Sequence, residues 1–361
     1  MRTSKNLFPR CTAFGNLYRA FVEASHGKRY QPEVQRFEYH LEERLWEIKR
    51  ELEAETYLWG GYRAFRIYDP KQRVIRAAPF RDRVVHHALY RVLAPIIERA
   101  YIPDTYACLV GRGSLAAVRR YEEYLRQQRG TGYVLKADVK QYFPSVDHAV
   151  LRRLLRRKIS DEPLLRLLDR LVESGDEGGG KGMPIGNLTS QLFANLYLDP
   201  LDHFVKEDLQ RRAYIRYMDD VVILGEEKAE LWDVLRAVER FLQERLRLSL
   251  QPQRTSVIPV AAGVDFLGYV VYPNGYKRVR RRNVVNVRRR LVRLEAGHAR
   301  GEIPFAHARQ SIASWLGLAK HASAFRLSRS LFLAHDVRHI GKRLLLNMAR
   351  AGHGADLLLR A

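Results

Sequence analysis

Two adjacent acids in an apolar neighbourhood are the chemical anchor of this sequence. Asp219 and Asp220 lie in Tyr217-Met218-Asp219-Asp220, between the apolar runs Tyr214-Ile215-Arg216 and Val221-Val222-Ile223-Leu224. Repulsion and desolvation disfavour such a pair unless a cation lies beside it. A solvated turn is the plain alternative, because Asp is common in turns. A third carboxylate tips the balance. Asp138 ends the apolar run Gly132-Tyr133-Val134-Leu135-Lys136-Ala137 and precedes Val139-Lys140-Gln141-Tyr142-Phe143. Two strand-end acid sites can hold a pair of Mg²⁺ ions, which take hard oxygen ligands. Such a pair activates a hydroxyl, holds a triphosphate and stabilises departing pyrophosphate.

Positioning these acids requires a strand over 132–139 and two short strands with a polar tip over 214–224. The rest of the chain supplies a frame. Leu41, Leu45, Ile48 and Leu52 recur at helical spacing and predict a helix over 33–54. A second helix is expected over 80–100, with Val84, Val85, Leu89 and Leu93 on one side. Tyr62 to Ala78 alternates like a hairpin turning at Asp69-Pro70. Helices are expected over 148–158 and 163–173. A glycine-rich loop, Gly175 to Gly182, leads to a helix over 188–198, and Asp199-Pro200 suits the start of another. A further helix is expected over 229–247 and a strand-like segment over 263–272. From 284 onward the pattern is helical to the end. The fold class is α+β, an antiparallel sheet covered by helices. Gly175 to Lys181 matches a phosphate-binding G-x-x-x-x-G-K, but Gly182 stands where Ser or Thr is needed, and a helix precedes the loop. That reading is rejected.

The formal net charge is +23 over 361 residues, which predicts a polyanionic partner. Nucleic acid comes first and an anionic membrane surface second. The charge clusters: residues 276–300 hold ten Lys or Arg, opposed only by Glu295. Phosphate-backbone binding with strong salt dependence fits that cluster. Hydrophobic content of 46% predicts a folded chain. Cys11 and Cys108 lack metal-ligand spacing and fit a reducing compartment. No secretory signal and no bilayer-spanning run is read.

The order and separation of these motifs resemble those of reverse transcriptases. Asp138 with an aromatic five residues on resembles their first palm motif, and Tyr217-Met218-Asp219-Asp220 their second. The resemblance implies a right-hand polymerase. Fingers and N-terminal helices would span 1–131, the palm 132–275 with inserted helices at about 148–182, and a basic helical thumb 276–361. It implies Asp138, Asp219 and Asp220 as catalytic residues, and Asp138, Val139 and Asp219 as ligands of two Mg²⁺ ions. Lys71, Arg73 and Arg81 resemble the fingers cations that neutralise the incoming triphosphate. Phe143 resembles the aromatic gate that clashes with a 2′-hydroxyl and favours deoxynucleotides. Tyr106 to Ser114 resembles a template-contacting motif, where Leu109 replaces a usual basic residue and Arg112 remains as a nucleic-acid contact. Arg254 stands where the family commonly carries lysine; it keeps the charge but hardly deprotonates. Gly263 to Tyr269 resembles the primer-grip turn. Lys277, Arg278, Arg281, Arg288 and Arg289 would grip phosphates.

The segment Gly182-Met183-Pro184-Ile185-Gly186-Asn187-Leu188-Thr189-Ser190-Gln191 resembles one branch, the reverse transcriptases of diversity-generating retroelements. Most relatives have glutamine at the place of Ile185 and proline at the place of Gln191. Asn16 to Phe21 and Arg81 to His87 also resemble that branch. Ile185, Gly186 and Gln191 are then nucleotide-site residues. Isoleucine cannot hydrogen-bond near the nascent base pair, so checking there relaxes. The branch implies error-prone cDNA synthesis at template adenines from a template-repeat RNA. Its partners are primer or cDNA, deoxynucleoside triphosphates and a small basic accessory protein forming an oligomeric ring. It also implies a cytoplasmic setting, bacterial, archaeal or phage-encoded. The alternatives are a free-standing group II-like or antiphage reverse transcriptase, and a non-catalytic RNA-binding scaffold. Three desolvated acids argue against the scaffold.

Overall fold

The computed structural model describes residues 4–68, 73–176 and 178–333. The Asp69-Pro70 turn, Lys71 and the end of the expected C-terminal helical region lie outside the described residues. The helices are α1 (Phe8–Thr12), α2 (Phe14–Ser25), α3 (Pro32–Tyr39), α4 (Leu41–Glu53), α5 (Phe80–Ile97), α6 (Ser114–Gln127), α7 (Tyr142–Ser145), α8 (His148–Lys158), α9 (Glu162–Ser174), α10 (Leu188–His203), α11 (Lys228–Leu246), α12 (Arg281–Ala299), α13 (Phe305–Ala319) and α14 (Phe325–Leu333). The strands are β1 (Arg63–Ile67), β2 (Arg73–Ala77), β3 (Tyr133–Asp138), β4 (Tyr214–Tyr217), β5 (Asp220–Gly225), β6 (Ser256–Pro259), β7 (Val264–Phe266), β8 (Tyr269–Val271) and β9 (Lys277–Val279). The chain forms two compact units: Met1–Ala117 with Leu135–Ile223 and Ala229–Ser256, and Val118–Val134 with Leu224–Lys228 and Val257–Ala361.

The first unit carries most of a sheet ordered β4-β5-β3-β6, with β4 and β5 antiparallel. Helix α10 runs through the core: Leu192, Phe193, Leu196, Tyr197 and Leu201 are all buried. It passes through Pro200 without a break. The expected helix start at Asp199-Pro200 is therefore corrected. Proline forfeits one backbone hydrogen bond, but continuing the helix keeps Leu198 and Leu201 out of water, at roughly 1.5–3 kcal/mol for a fully buried Leu. Asp199 is buried and pairs with Lys158 at 3.3 Å instead of capping.

The expected single helix over 33–54 is also corrected. His40, at φ −114° and ψ 38°, separates α3 from α4. The buried residues Val34, Phe37, Leu45, Ile48 and Leu52 would lie on one stripe of a continuous helix, but α3 packs on α5 while α4 packs on α1 and α2, so the chain turns at His40. The hairpin forms as expected, from Arg63↔Ala77 to Ile67↔Arg73. Helices α8 and α9 start on aspartates, whose side chains accept from Val150 N–H at 3.1 Å and Leu164 N–H at 3.2 Å.

In the second unit β7, β8 and β9 form an antiparallel sheet. Helices α12 to α14 enclose a core that includes Leu291, Leu294, Ile312, Trp315, Leu316 and Phe332. Trp315 Nε1 donates to Ser328 Oγ at 3.2 Å, which satisfies the buried indole. Among the described residues no helix is long and apolar enough to cross a membrane.

Candidate active site

The carboxylates converge because two backbone segments flank one strand pair. β4 and β5 are joined by Met218-Asp219, with Tyr217 opposite Asp220. So short a loop needs positive φ at its first residue, where glycine is the usual choice. Met218 takes φ +58°. β3 delivers Asp138, and the Val139 N–H donates to the Asp219 carbonyl at 3.3 Å. The chain after Asp138 bends sharply, with Gln141 at φ +45° ahead of α7. Strained non-glycine backbone thus sits next to both acid positions.

Beneath the turn lies a fully buried Arg216. Its Nε and Nη2 grip both oxygens of buried Asp202, at 2.6 and 2.7 Å. Its Nη1 donates to Asn195 Oδ1 at 3.1 Å and to the Met218 carbonyl at 3.0 Å. Tyr214 Oη and Thr105 Oγ1 also donate to Asp202, at 2.5 and 2.8 Å. The guanidinium therefore ties the strained residue of the acid turn to α10. The sequence reading passed Arg216 over as an ordinary strand residue. Its signal was a lone charge in an apolar strand, which requires a buried partner.

Arg254 lies at the other side of the site. Gln251 N–H donates to the Asp138 carbonyl at 2.8 Å, and Val139 pairs with Leu250. That pairing brings Arg254 Nη1 to 2.9 Å from Asp138 Oδ2. The residue expected to meet nucleic acid is here a counter-ion to a candidate metal ligand.

Burial and the neighbouring charges of Asp219 and Asp138 push the Asp220 carboxyl up to about 7. Among the described residues no three His, Cys, Asp or Glu side chains are gathered as a metal shell. The donor chemistry nevertheless fits a hard divalent cation: carboxylate oxygens crowd together, and a cation would relieve their repulsion. A raised carboxyl holds its proton more tightly in the folded chain than in the unfolded one. Its contribution is present at acid pH and is lost as pH rises from about 4 toward 7. Metal-free protein is expected to lose stability over that window, whereas Asp220→Asn flattens the loss. Thermal melts of both proteins from acid to neutral pH measure the difference, and parallel curves would refute the coupling.

The predicted nucleotide contacts fall into different environments. Ile185 is half-buried, and its carbonyl accepts from the Arg76 N–H of β2 at 3.1 Å. Gly186 sits at φ +127°, and a Cβ there would meet the Arg76 carbonyl and Ile75 Cγ2, each at 3.3 Å. The hairpin thus rests on this loop through close backbone approach. Gly186→Ala is expected to cost about 1–3 kcal/mol through strain, read from denaturant melts. Phe143 is half-buried, edge-on to Tyr142 at 5.6 Å. Gln191 lies half-buried in the first turn of α10. Arg73 belongs to β2. Arg81 departs from the expectation: it pairs with Glu51 at 2.6 Å and stacks on Tyr57 at 4.6 Å. Its neighbours behave alike. Asp82 accepts from Tyr57 Oη and Gly60 N–H, and Arg83 pairs with Glu33. Arg81 and Arg83 thus join α5 to α4 and α3, and Asp82 joins it to the segment after α4.

The basic residues divide as well. Arg112 directs Nη1 at the carbonyls of Ile102, Pro103 and Thr105, which fastens its own turn. In the second unit Lys277 pairs with Glu122 at 2.6 Å and lies over Tyr269, so its charge is matched internally. Arg278, Arg281, Arg288 and Arg289 are exposed. The glycine-rich loop follows α9, and Gly178, Gly179 and Gly180 all take positive φ.

Residues 69–271, more than half of the chain, match the family profile described as "Reverse transcriptase (RNA-dependent DNA polymerase)". "Protein YkfC" of Escherichia coli strain K12 is 27% identical over 270 residues, covering 62% of this chain and 71% of that protein. "Group II intron-encoded protein LtrA" of Lactococcus lactis subsp. cremoris is 26% identical over 250 residues, covering 65% of this chain and 41% of that one. Among solved structures, apo telomerase from Candida tropicalis aligns with a TM-score of 0.46 and 11% identity, over 61% of this chain and 55% of that one.

Proposed function

The chain belongs to the reverse transcriptase family, whose members are RNA-dependent DNA polymerases, and from that premise we propose that it extends a primer along an RNA template using the Asp138, Asp219 and Asp220 site. The observation that carries this reading is the Met218-Asp219 turn, which presents two acids beside the end of β3. Asp138 and Asp219, with Val139, are the residues that would hold two Mg²⁺ ions, and Asp220 supports them. Bound there, the ions would lower the pKa of the primer 3′-hydroxyl and neutralise triphosphate charge. The protein positions the reactants: Phe143 excludes a 2′-hydroxyl, and Lys71 and Arg73 meet phosphates. Residues 1–131 serve as N-terminal helices and fingers, 132–275 as palm and 276–361 as thumb. Arg278, Arg281, Arg288 and Arg289 hold the duplex backbone.

The finer reading places the chain in a diversity-generating retroelement, copying a template-repeat RNA with errors at adenines beside a small basic accessory protein. Ile185 supports it, since a hydrocarbon side chain cannot hydrogen-bond the nascent pair. The likeness to LtrA favours a second reading, a free-standing group II-like enzyme. Primer extension on an RNA template containing all four bases, with Mg²⁺ and deoxynucleotides, separates the two. Errors concentrated at template adenines, reduced several-fold by Ile185→Gln, are the expected result. Uniform fidelity in both proteins would remove the retroelement reading and leave the polymerase. No extension by wild type, with candidate RNA and accessory protein supplied, would refute the polymerase.

A further inference from the structure

Away from the carboxylates the first unit holds an open cavity of about 600 Å³, within the ~300–1,000 Å³ range of small-molecule sites. Its walls are the N-terminal segment, the end of α5 and the turn that follows it. Lys5, Arg10 and Arg99 stand around it, and Lys158 lines it from the end of α8. Among the described residues no carboxylate lines it. The first three cations are exposed, and among the described residues none of them has an ion-pair or hydrogen-bond partner. Lys158 differs: it is buried and already pairs with Asp199.

The N-terminal wall is fixed in place. Ser4 pairs with Ile159 as a short parallel bridge, and Ser4 N–H donates to the Lys158 carbonyl at 3.0 Å. Asp161 caps α9 and also accepts from the N–H groups of Leu7 and Phe8, at 2.6 and 3.1 Å. Holding these three cations around one cavity costs mutual repulsion, which an anion would relieve.

We infer that this cavity is a second nucleic-acid site, binding the phosphodiester backbone of single-stranded RNA. Several cations spread around an open rim match successive phosphates better than one isolated anion. Ile96 and Ala100 add half-buried apolar wall against which sugars can lie. The site is separate from the polymerase carboxylates, so its test needs no catalysis.

The test titrates a short labelled single-stranded RNA into the full chain by fluorescence anisotropy, without deoxynucleotides, across rising salt. The triple variant Lys5→Gln/Arg10→Gln/Arg99→Gln is compared with wild type. A control, Lys28→Gln/Arg36→Gln/Arg240→Gln, removes the same charge from exposed positions elsewhere. Three lost phosphate contacts should flatten the log–log salt slope by about 2, at about 0.7 per phosphate on single strands. The control should leave the slope unchanged, and the triple variant should keep its extension rate at saturating template. Equal slopes in wild type and triple variant would overturn the site. An equal drop in the control would also overturn it, by assigning the effect to net charge. Displacement of the site-dependent fraction by ADP would assign the cavity to free nucleotide and overturn the strand reading. Equal binding of polyglutamate would overturn recognition of nucleic acid.

Discussion

Asp219→Ala is expected to reduce primer extension by at least about 10³-fold, equivalent to about 4 kcal/mol of transition-state stabilisation. Asp138→Ala should do the same, and the double variant should be scarcely worse than either single one, because ligands of one centre act as a unit. The fold should survive. Asp219 is half-buried in a two-residue turn, so its loss removes little packing. Removing one of the charges that crowds Asp220 should leave stability level or slightly raised. Single-turnover extension, urea melts and RNA binding measured together make the test complete. Residual extension within tenfold of wild type, with folding and RNA binding intact, would show that these carboxylates do not carry the reaction.

Arg254 refines that expectation. Its guanidinium sits 2.9 Å from Asp138 Oδ2, so it competes with any cation for that oxygen. Arg254→Gln is expected to lower the Mg²⁺ concentration for half-maximal extension several-fold, since a partner of like sign to the metal is gone. An unchanged Mg²⁺ titration would mean that the ion pair does not govern metal entry.

What the sequence made legible follows physical range. The acid turn was readable because its whole signal is local: apolar strand, polar tip, apolar strand. β3 was readable for the same reason. Helices α8 and α9 carry their own start signals in Asp147 and Asp161. Long-range facts were not readable. The break at His40 interrupts one apolar stripe whose two halves pack on different helices, α3 on α5 and α4 on α1 and α2. The continuation of α10 through Pro200 depends on core burial that no local propensity encodes. Helix α6, unread beforehand, has an ordinary amphipathic pattern that could have revealed it. Charges were the least legible feature. Arg81, Arg112 and Lys277 look like phosphate ligands in a basic sequence, yet each spends hydrogen bonds or charge inside the fold. A basic composition fixes the sign of the surface, but only a partner such as Glu51 or Glu122 decides which cations remain for a ligand.

Arg216 is the residue where this distinction matters most, and its effect can be split into stability and positioning. Arg216→Met leaves Asp202 buried without its counter-ion and should destabilise the chain by about 3–5 kcal/mol. Arg216→Met/Asp202→Asn removes both charges, keeps one oxygen to accept from Tyr214 Oη, and turns the amide NH₂ toward Thr105 Oγ1, which can accept from it. Such paired replacements are often near neutral, so most of the lost stability should return. Extension should not return with it. The Met218 carbonyl would still lack the donor that holds a residue at φ +58° in the acid turn. A turn that relaxes misplaces Asp219, and small misplacements of reacting groups cost on the order of 10²-fold. The paired variant is therefore expected to extend primers at least tenfold slower at saturating template, with RNA affinity unchanged. Urea melts and single-turnover rates on the same preparations separate the two effects. Recovery of both stability and rate would reduce Arg216 to a buried counter-ion; recovery of stability alone would make it the residue that aims the catalytic turn.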